Sequence, residues 1–495
     1  MRLSKDATKI LALTLAVQCI ILAPPSLGAP SEYTYYGKVP DKIWLLRPAD
    51  WQAQPACQNP YNWVVYNPPS LYALLAIVSA WDGVEVRVYN LTAKQLIAQA
   101  TLKSLQPLYL LLRNGTFFKV VASKPVTVEL VNYQGIPQPG SLGPTLHTFY
   151  YSVEGTYVGK EFVFVATQGS LTGTDYAILA VEPAEVTVER DDGQAFTLKL
   201  DANGYKYIPL TPFRVYRIRS TGNIMVMSGA IPGIGTYETT CFAIPSVQGG
   251  FTGTYFLTRA FKAIEWGWDK VRGYGFRVLA VSETKIELYD LETGNKMGEY
   301  AVPAEGGITL RPNAYAVALV SEKPVTFMFM HNGSIEIENA GMHGGYYCGY
   351  PRSTMFLLLK PGEDTMVQIP SNASVEAYFF AKEDAEVMID DVFRARLAAD
   401  TPYLFTMPGV HKVRSDKEVL VQINMWPRYP PEQGLWFTGY VIPPLESANL
   451  KPNVTVTLPG AKAPPMYYYA AGAAAVIAVV AAFLIVRRKK KEITP

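Results

Sequence analysis

Histidine, cysteine and charged residues are all scarce in this chain. Its 495 residues include only four histidines and four cysteines, and 17% of them are charged. None of the histidines has the HExxH or HxH spacing of a metal centre, and no GxSxG, Walker or dinucleotide-binding motif is present. The sequence therefore predicts no catalytic, cofactor-binding or metal-binding residue. We expect a protein that is not an enzyme and needs no cofactor.

Two features qualify that expectation. His343 and Cys348 are close enough in sequence to suggest a ligand pair, although a connector loop explains them better. The acid pairs Asp191-Asp192 and Asp390-Asp391 have the chemistry of carboxylate catalysis or Ca²⁺ binding, but each follows an alternating strand where a hairpin turn is expected. A glycosidase would need two convergent carboxylates. We therefore interpret both pairs as solvated turn residues.

Basic charge is scarce in the middle of the chain. The net charge of +2 depends on the two ends, since residues 30–466 contain 36 Lys and Arg against 40 Asp and Glu. Nucleic-acid binding needs a basic face, so we expect no nucleic-acid partner. Apolar residues make up 49% of the chain, which excludes disorder over most of its length.

The ends of the chain predict its location. Basic residues precede an apolar run over 10–23, which indicates a signal peptide over residues 1–28; an uncleaved anchor is the alternative, but the run is short for a bilayer. A second apolar run, Tyr467–Val486, is long enough to cross a membrane, and a buried core helix is its alternative. Five cations follow it and favour a cytoplasmic tail over 487–495, namely Arg487, Arg488, Lys489, Lys490 and Lys491. We expect a single-pass protein of the cell membrane with its N-terminal part outside.

One strand pattern occurs four times between these ends. Lys119–Leu130, Arg217–Ser228, Ala318–Phe329 and Lys412–Ile423 align on Ala122, Ser220, Ser321 and Ser415, at spacings of 98, 101 and 94 residues. A second set of anchors lies 36, 34, 35 and 28 residues earlier, at Val86, Val186, Ile286 and Val387. The Ser-x-Lys-Pro-Val step in the pattern predicts a turn, with Pro at the start of a strand.

Alternation of apolar and polar residues, with Asn-Gly and Asp-Gly turns, predicts an all-β chain. The fold class we expect is tandem β-sandwich or jelly-roll repeats of about 95–100 residues, followed by one C-terminal transmembrane helix. The predicted boundaries are 29–140, 141–240, 241–345 and 346–450 for β units 1 to 4, and 451–466 for a proline-rich stalk.

The repeat resembles the N-terminal module of the IgG Fc-binding protein family. The resemblance depends on strands such as Ser321–Val325, and on strands that open with Gly-Thr-Tyr at Gly155–Tyr157 and Gly253–Tyr255. The stalk, the small-residue apolar span and the basic tail also resemble archaeal envelope proteins. The cysteine-rich regions that accompany the module in mucin-like relatives are absent, and no family site residue is implied here.

Cysteine pairing and glycosylation follow from an exported chain. Cys57, Cys241 and Cys348 lie beyond the signal peptide and permit one disulfide; we expect Cys241 with Cys348, while Cys57 with Cys348, or unpaired cysteines, are alternatives. Five Asn-x-Ser/Thr sequons predict N-glycosylation, at Asn90, Asn114, Asn332, Asn372 and Asn453.

These features predict a cell-surface glycoprotein of the envelope that displays tandem β domains for structural or adhesive contacts. Its expected partners are the lipid bilayer, through the C-terminal helix, and envelope proteins or glycans, with self-association as a further possibility. The alternative is a membrane-tethered binding protein for an extracellular glycan or peptide, which the many Tyr and Trp residues would suit.

Overall fold

The computed structural model confirms an all-β chain, with thirty strands and no α-helix among the residues it describes. The described residues are 32–39, 72–132, 148–166, 175–228, 242–260, 274–331, 353–369, 373–427 and 440–445, except 154, 212, 245, 248, 250, 392 and 444. No helix in these ranges has the length and hydropathy to cross a membrane. The predicted signal peptide, stalk, transmembrane helix and tail lie outside them.

The strands form four sets that follow one another along the chain. Set 1 contains β1 (Tyr33–Lys38), β2 (Tyr72–Val78), β3 (Val84–Asn90), β4 (Gln95–Leu102), β5 (Leu108–Arg113), β6 (Phe117–Ala122) and β7 (Thr127–Asn132). Set 2 contains β8 (Phe149–Tyr150), β9 (Gly159–Val165), β10 (Asp175–Ala180), β11 (Ala184–Arg190), β12 (Ala195–Leu200), β13 (Tyr205–Pro209) and β14 (Val215–Ser228).

The second half of the chain repeats this order. Set 3 contains β15 (Phe242–Ile244), β16 (Thr252–Arg259), β17 (Tyr274–Ala280), β18 (Thr284–Asp290), β19 (Lys296–Val302), β20 (Gly306–Leu310) and β21 (Ala316–His331). Set 4 contains β22 (Ser353–Leu359), β23 (Thr365–Ile369), β24 (Ala373–Ala381), β25 (Ala385–Ile389), β26 (Phe393–Leu397), β27 (Tyr403–Phe405), β28 (Gly409–Ser415) and β29 (Val419–Pro427). The last described strand is β30 (Tyr440–Ile442).

The two series of anchors from the sequence face each other across neighbouring strands. Val86 pairs with Ala122, and Val186 pairs with Ser220. The same pairing joins Ile286 to Ser321 and Val387 to Ser415. All four aliphatic anchors are buried and belong to one hydrophobic cluster that includes residues of every set. The four copies of the sequence pattern therefore have the same strand pairing and the same place in the core.

Sets 1 and 4 form two sheets each, whereas sets 2 and 3 form one. The sheets of set 1 have the strand orders β1-β6-β3-β4 and β30-β7-β2-β5, and those of set 4 are β22-β29-β24-β27 and β23-β28-β25-β26. In sets 2 and 3 a single long strand, β14 or β21, replaces the two strands β6 and β7 and joins all seven strands. The difference arises at the turn that the repeated pattern predicts.

The predicted turn with Pro at a strand start is correct in set 1 and wrong in set 3. Pro125 lies between β6 and β7, as expected. Pro324 instead lies inside β21, at a point where the register with β16 shifts between Gly253 and Tyr255. Such an irregularity accepts Pro because no ladder hydrogen bond is required there. The predicted Gly-Thr-Tyr strand opening also differs, since Gly253–Tyr255 lies in β16 but Gly155–Tyr157 precedes β9.

The strand β30 completes set 1 from the far end of the described chain. In sets 2, 3 and 4 the first strand pairs with the end of the last one, through Tyr150↔Val226, Ile244↔Phe327 and Leu357↔Val421. Set 1 has no such strand before β1 among the described residues, and Ile442 of β30 pairs with Val128 at the equivalent position. Although β30 lies within the predicted range of unit 4, it therefore belongs to set 1 by its pairing.

Equivalent strands also form the junctions between sets. β9 lies against β2 and β7, β16 against β10, and β23 against β17 and β21. The fourth contact is between β1 and β29, so set 4 returns to set 1. The sets thus contact one another in a closed circuit, and the junction of sets 4 and 1 is where the two ends of the described chain meet.

Candidate functional site

The junction between sets 4 and 1 buries a charged side chain. Lys38, the last residue of β1, is 4% exposed, and its Nζ lies 2.7 Å from Tyr378 Oη and 3.3 Å from Glu376 Oε2. Tyr378 Oη donates a hydrogen bond of 2.7 Å to the same Glu376 oxygen. The ammonium also lies 4.6 Å and 5.3 Å from the ring centroids of Tyr378 and Phe117. Burial of an ammonium costs free energy unless it is paired, and here a carboxylate, a hydroxyl and two ring faces surround it.

The backbone of Lys38 is held by a side-chain amide from set 4. Its N–H donates to Gln422 Oε1 over 2.7 Å, and Gln422 Nε2 donates to its carbonyl over 3.2 Å. Gln422 Nε2 also donates to Asn424 Oδ1 at 3.1 Å. Among the described strands β1 pairs only with β6, so the amide satisfies backbone groups on the other edge of β1.

A turn residue of set 4 forms the second ionic contact of this junction. Lys119 Nζ donates to both carboxylate oxygens of Asp400, at 2.7 and 2.8 Å, and Tyr36 Oη also donates to Asp400. Asp400 has a positive φ of 56° and lies three residues before Tyr403, the first residue of β27. Asp tolerates this left-handed conformation better than most residues.

A residue with a left-handed backbone conformation occurs at this same position in every set. In each case its side chain contacts the following set. Leu105, Asn203 and Glu305 have φ values of 60°, 62° and 50°. Leu105 packs against a cluster that contains valines of set 2. Tyr255 Oη of set 3 donates to Asn203 Oδ1 at 2.7 Å, and Lys412 Nζ of set 4 donates to Glu305 Oε1 at 2.7 Å.

The junction between sets 1 and 2 contains a buried acid at the position equivalent to Gln422. Val165 N–H donates to Glu129 Oε1 over 2.6 Å, and Glu129 is 1% exposed. Its second oxygen, Oε2, has no hydrogen-bond partner among the described residues. Burial raises the pKa of the Glu129 carboxyl well above its ordinary value, against the smaller opposing effect of the Val165 hydrogen bond. Set 1 therefore has a carboxyl with a raised pKa at the position where set 4 has the amide of Gln422.

The polar side chains of the two junctions hold neighbouring sets together. The lysines of the junction between sets 4 and 1 are paired with carboxylates, Glu129 holds a backbone N–H of set 2, and no group of three potential metal ligands occurs among the described residues. The arrangement holds neighbouring sets in register by side-chain bonds to strand edges. It can close a circular array of β units, and we treat the junction of sets 4 and 1 as the candidate functional site.

The first predicted acid pair lies in an ion-paired turn. Asp191 and Asp192 follow β11, as the sequence predicts, and both are partly exposed. Arg214 Nε donates to Asp191 at 2.7 Å, and Arg190 Nη2 donates to Asp192 at 2.6 Å. The Arg190 hydrogen bond is the main reason that the pKa of Asp192 lies below its ordinary range. The turn prediction is confirmed, with arginines as partners that the sequence pattern did not indicate.

The second acid pair holds a buried histidine. Asp390 Oδ2 lies 2.7 Å from His411 Nδ1, and Asp390 Oδ1 accepts a hydrogen bond of 2.9 Å from the N–H of Lys412. His411 is 5% exposed, and its Nε2 lies 3.0 Å from the carbonyl oxygen of Met407. Asp391 instead pairs with Lys412 Nζ at 2.5 Å. Sequence reasoning missed His411, because 21 residues separate it from Asp390.

Two of the predicted glycosylation sites lie in the described residues. Asn90 ends β3, and its side-chain oxygen accepts a hydrogen bond of 2.8 Å from Ala93 N–H. Asn114 lies in the turn between β5 and β6. The other predicted site residues lie outside the described residues: Asn332, Asn372, Asn453, Cys57, Cys241, His343, Cys348, Tyr467, Val486, Arg487, Arg488, Lys489, Lys490 and Lys491.

Comparison with known proteins gives only distant similarities. No protein-family model matches the chain, and no curated protein matches it. The resemblance to the Fc-binding module therefore stays a prediction. A solved quercetin 2,3-dioxygenase from Acinetobacter baumannii is 11% identical, over 58% of this chain and 82% of that one, with a TM-score of 0.17. An oxalate decarboxylase from Lactobacillus farciminis is 12% identical, over 63% of this chain and 78% of that one, with a TM-score of 0.13.

These similarities correct one expectation from the sequence. The proteins just named are enzymes, so the expectation that this chain is not an enzyme is contradicted. That expectation depended on missing motifs, and active sites built from residues far apart in sequence need no short motif. At such low TM-scores neither activity is transferred to this chain.

Proposed function

We propose that this chain is an envelope protein of the cell surface that displays a closed array of four β-sandwich-like units for structural or adhesive contacts. A signal peptide over 1–28 exports it, units over 29–140, 141–240, 241–345 and 346–450 form the external part, and a stalk over 451–466 leads to a transmembrane helix over 467–486. The tail over 487–495 stays in the cytoplasm. This topology follows from the charge and hydropathy of the sequence.

The observation that carries the proposal is the pairing of β30 with β7. β30 occupies in set 1 the position that β8, β15 and β22 occupy in their own sets, with the same register. It is also the last described strand before the predicted stalk. The array is thereby attached to the stalk next to its own point of closure, which suits a compact head on a single anchor.

The polar junctions support a display role in a second way. Lys38 and Gln422 join set 1 to set 4 through buried hydrogen bonds, and Glu129 joins set 1 to set 2. Hydrogen bonds between buried groups of two units specify one arrangement of those units and resist relative motion. A surface formed by several such units keeps a fixed shape, which a contact surface requires.

Site-directed labelling of the full-length chain in intact cells tests the topology. Lys199→Cys places a thiol where the native side chain is 82% exposed, and Thr494→Cys places one in the predicted tail. A membrane-impermeant maleimide should label the first variant in intact cells and the second only after permeabilisation. Wild-type chain corrects for the native cysteines. Labelling of Thr494→Cys in intact cells, or protection of Lys199→Cys, would contradict the proposal.

Deletion of one unit tests the contact role. Removal of a complete unit should weaken the contacts between this chain and other envelope components, or reduce cell adhesion. Replacement of Tyr467–Val486 by an unrelated apolar span should leave both properties unchanged. A chain that stops before residue 467 should appear in the medium. Retention of that shortened chain on the cell would show that anchoring comes from elsewhere.

A further inference from the structure

Strand β5 forms an exposed apolar edge of set 1. It ends the sheet β30-β7-β2-β5 among the described residues, and Leu108 to Leu112 are five consecutive apolar residues. Tyr109 is 41% exposed and Leu111 is 48% exposed. The only charge on β5 is Arg113 at its last position. A free sheet edge presents unpaired N–H and C=O groups and invites another strand, so most proteins protect such edges.

The equivalent edges of the other sets are protected. β13 has Lys206 at its second position and ends at Pro209, and β20 begins with Gly306 and Gly307. β27 has only three residues. Charge, Pro, Gly and short length are all known means of blocking edge pairing. Set 1 thus differs from the other three sets at this edge strand, since β5 lacks the features that protect β13, β20 and β27.

The exposed side chains on β5 continue onto β2. Leu74 lies opposite Leu111, and Tyr72, itself 39% exposed, lies opposite Arg113 on the same face. Farther along this face Ala76 and Val78 already pack against valines of set 2. The exposed patch is therefore continuous with an established junction of the molecule.

We propose that β5 pairs with β5 of a second copy of this chain, antiparallel about Leu110. Tyr109 then faces Leu111 of the second copy, and Leu108 faces Leu112 of the second copy. The contact is the same from both sides, as a twofold dimer requires. The two Arg113 side chains lie at opposite ends of the pair, so no like charges meet. The two sheets become one continuous sheet of eight strands.

Pairing with a second copy would be one of the contacts that the proposed function includes, and in that sense it rests on the proposed function. The pairing itself requires only that set 1 is folded. Membrane anchoring would favour it by raising the local concentration of the chain. The two proposals are separable, because purified full-length protein in detergent reports on pairing without any statement about location.

Cross-linking between two tagged full-length chains tests the pairing. One chain carries Tyr109→Cys and the other carries Leu111→Cys; the proposal expects a disulfide that joins the two tags, identified by its peptides so that native cysteines are not counted. The control places Cys at Tyr205 and Tyr207 on β13, which leaves Lys206 and Pro209 in place, and should give no such product. Equal yields for the two strands, or no product for β5, would overturn the proposal.

A charge on the edge tests the same proposal without cysteine. Leu111→Lys should weaken dimerisation at least tenfold, measured by sedimentation of the full-length chain at several concentrations. Leu96→Lys is the control, since Leu96 is 49% exposed on β4 of the other sheet, and it should leave the dimer unchanged. Both variants should unfold at the temperature of the wild type. A chain that is monomeric throughout, or that responds equally to both changes, would show that β5 is not the interface.

Discussion

The side-chain amide of Gln422 holds both backbone polar groups of Lys38, with the N–H at 2.7 Å from Oε1 and the carbonyl at 3.2 Å from Nε2. It thus supplies one rung of a strand ladder to the edge of β1, from a set that lies at the other end of the chain.

Gln422→Ala should lower the free energy of unfolding by about 1–3 kcal/mol, because two buried backbone groups lose their partners. Gln99→Ala is the control, since Gln99 is an exposed residue of β4. Urea denaturation of both variants measures the difference. Equal stabilities of the two variants would mean that water replaces the amide at no cost.

Glu129→Gln should stabilise the protein at neutral pH by about 0.5–1.5 kcal/mol, because an amide can hold Val165 as Gln422 holds Lys38. The pKa of Glu129 in the folded state lies above the ordinary value of 4.5. Its contribution to stability is therefore greatest below pH 4.5 and falls as the pH rises toward the folded-state pKa.

The variant should remove that part of the pH dependence. Denaturation at several pH values between 4 and 8 measures it, with Glu85→Gln on the exposed side of β3 as control. If the free energy of unfolding of the wild type instead rises with pH over this range, relative to that of Glu129→Gln, the carboxyl is ionised in the folded state.

Substitutions at Asp400 should follow the order Asn, Gly, Ala in increasing loss of stability. Asn keeps a hydrogen-bond acceptor and tolerates a φ of 56°, Gly keeps only the backbone freedom, and Ala keeps neither. The left-handed backbone should cost Ala about 1–2 kcal/mol relative to Gly. Thermal unfolding of the three variants gives the order, and a more stable Ala than Gly variant would exclude backbone strain at this turn.

Ile442→Ala should loosen set 1 rather than set 4. Ile442 is 1% exposed and pairs with Val128, so the truncation should cost about 2–5 kcal/mol. Hydrogen exchange should accelerate in β7. Leu357→Ala, at the equivalent position of set 4, should instead accelerate exchange in β29. Faster exchange in β29 alone after Ile442→Ala would contradict the assignment of β30 to set 1.

Sequence repetition predicted the paired strands well. Val86 with Ala122, and the three equivalent pairs, could be found because each strand has enough alternating residues to define its face. Asp191 and Asp192 were placed in a turn for a similar reason, since an Asp-Gly step follows a clear strand.

The closure and its buried polar groups were not predictable in this way. Tyr440–Ile442 is too short for a periodic pattern, and its partner lies about three hundred residues earlier. Glu129 and Lys38 resemble surface residues in composition, and their burial depends on a neighbouring set. One signal was available in the sequence. The alignment of the repeats places Glu129 at the same position as Met227, Met328 and Gln422, and those three residues are uncharged.

The pairing of β30 with β7 also fixes an order of events during synthesis. Ribosomes add roughly 5–20 residues per second, so β7 is made about 15 to 60 s before its partner strand. For that time the edge of β7 has no neighbour from its own chain, and loop closure over this separation adds a further delay. We expect the newly made N-terminal set to be the part of the chain that most needs a chaperone until residues 440–442 arrive.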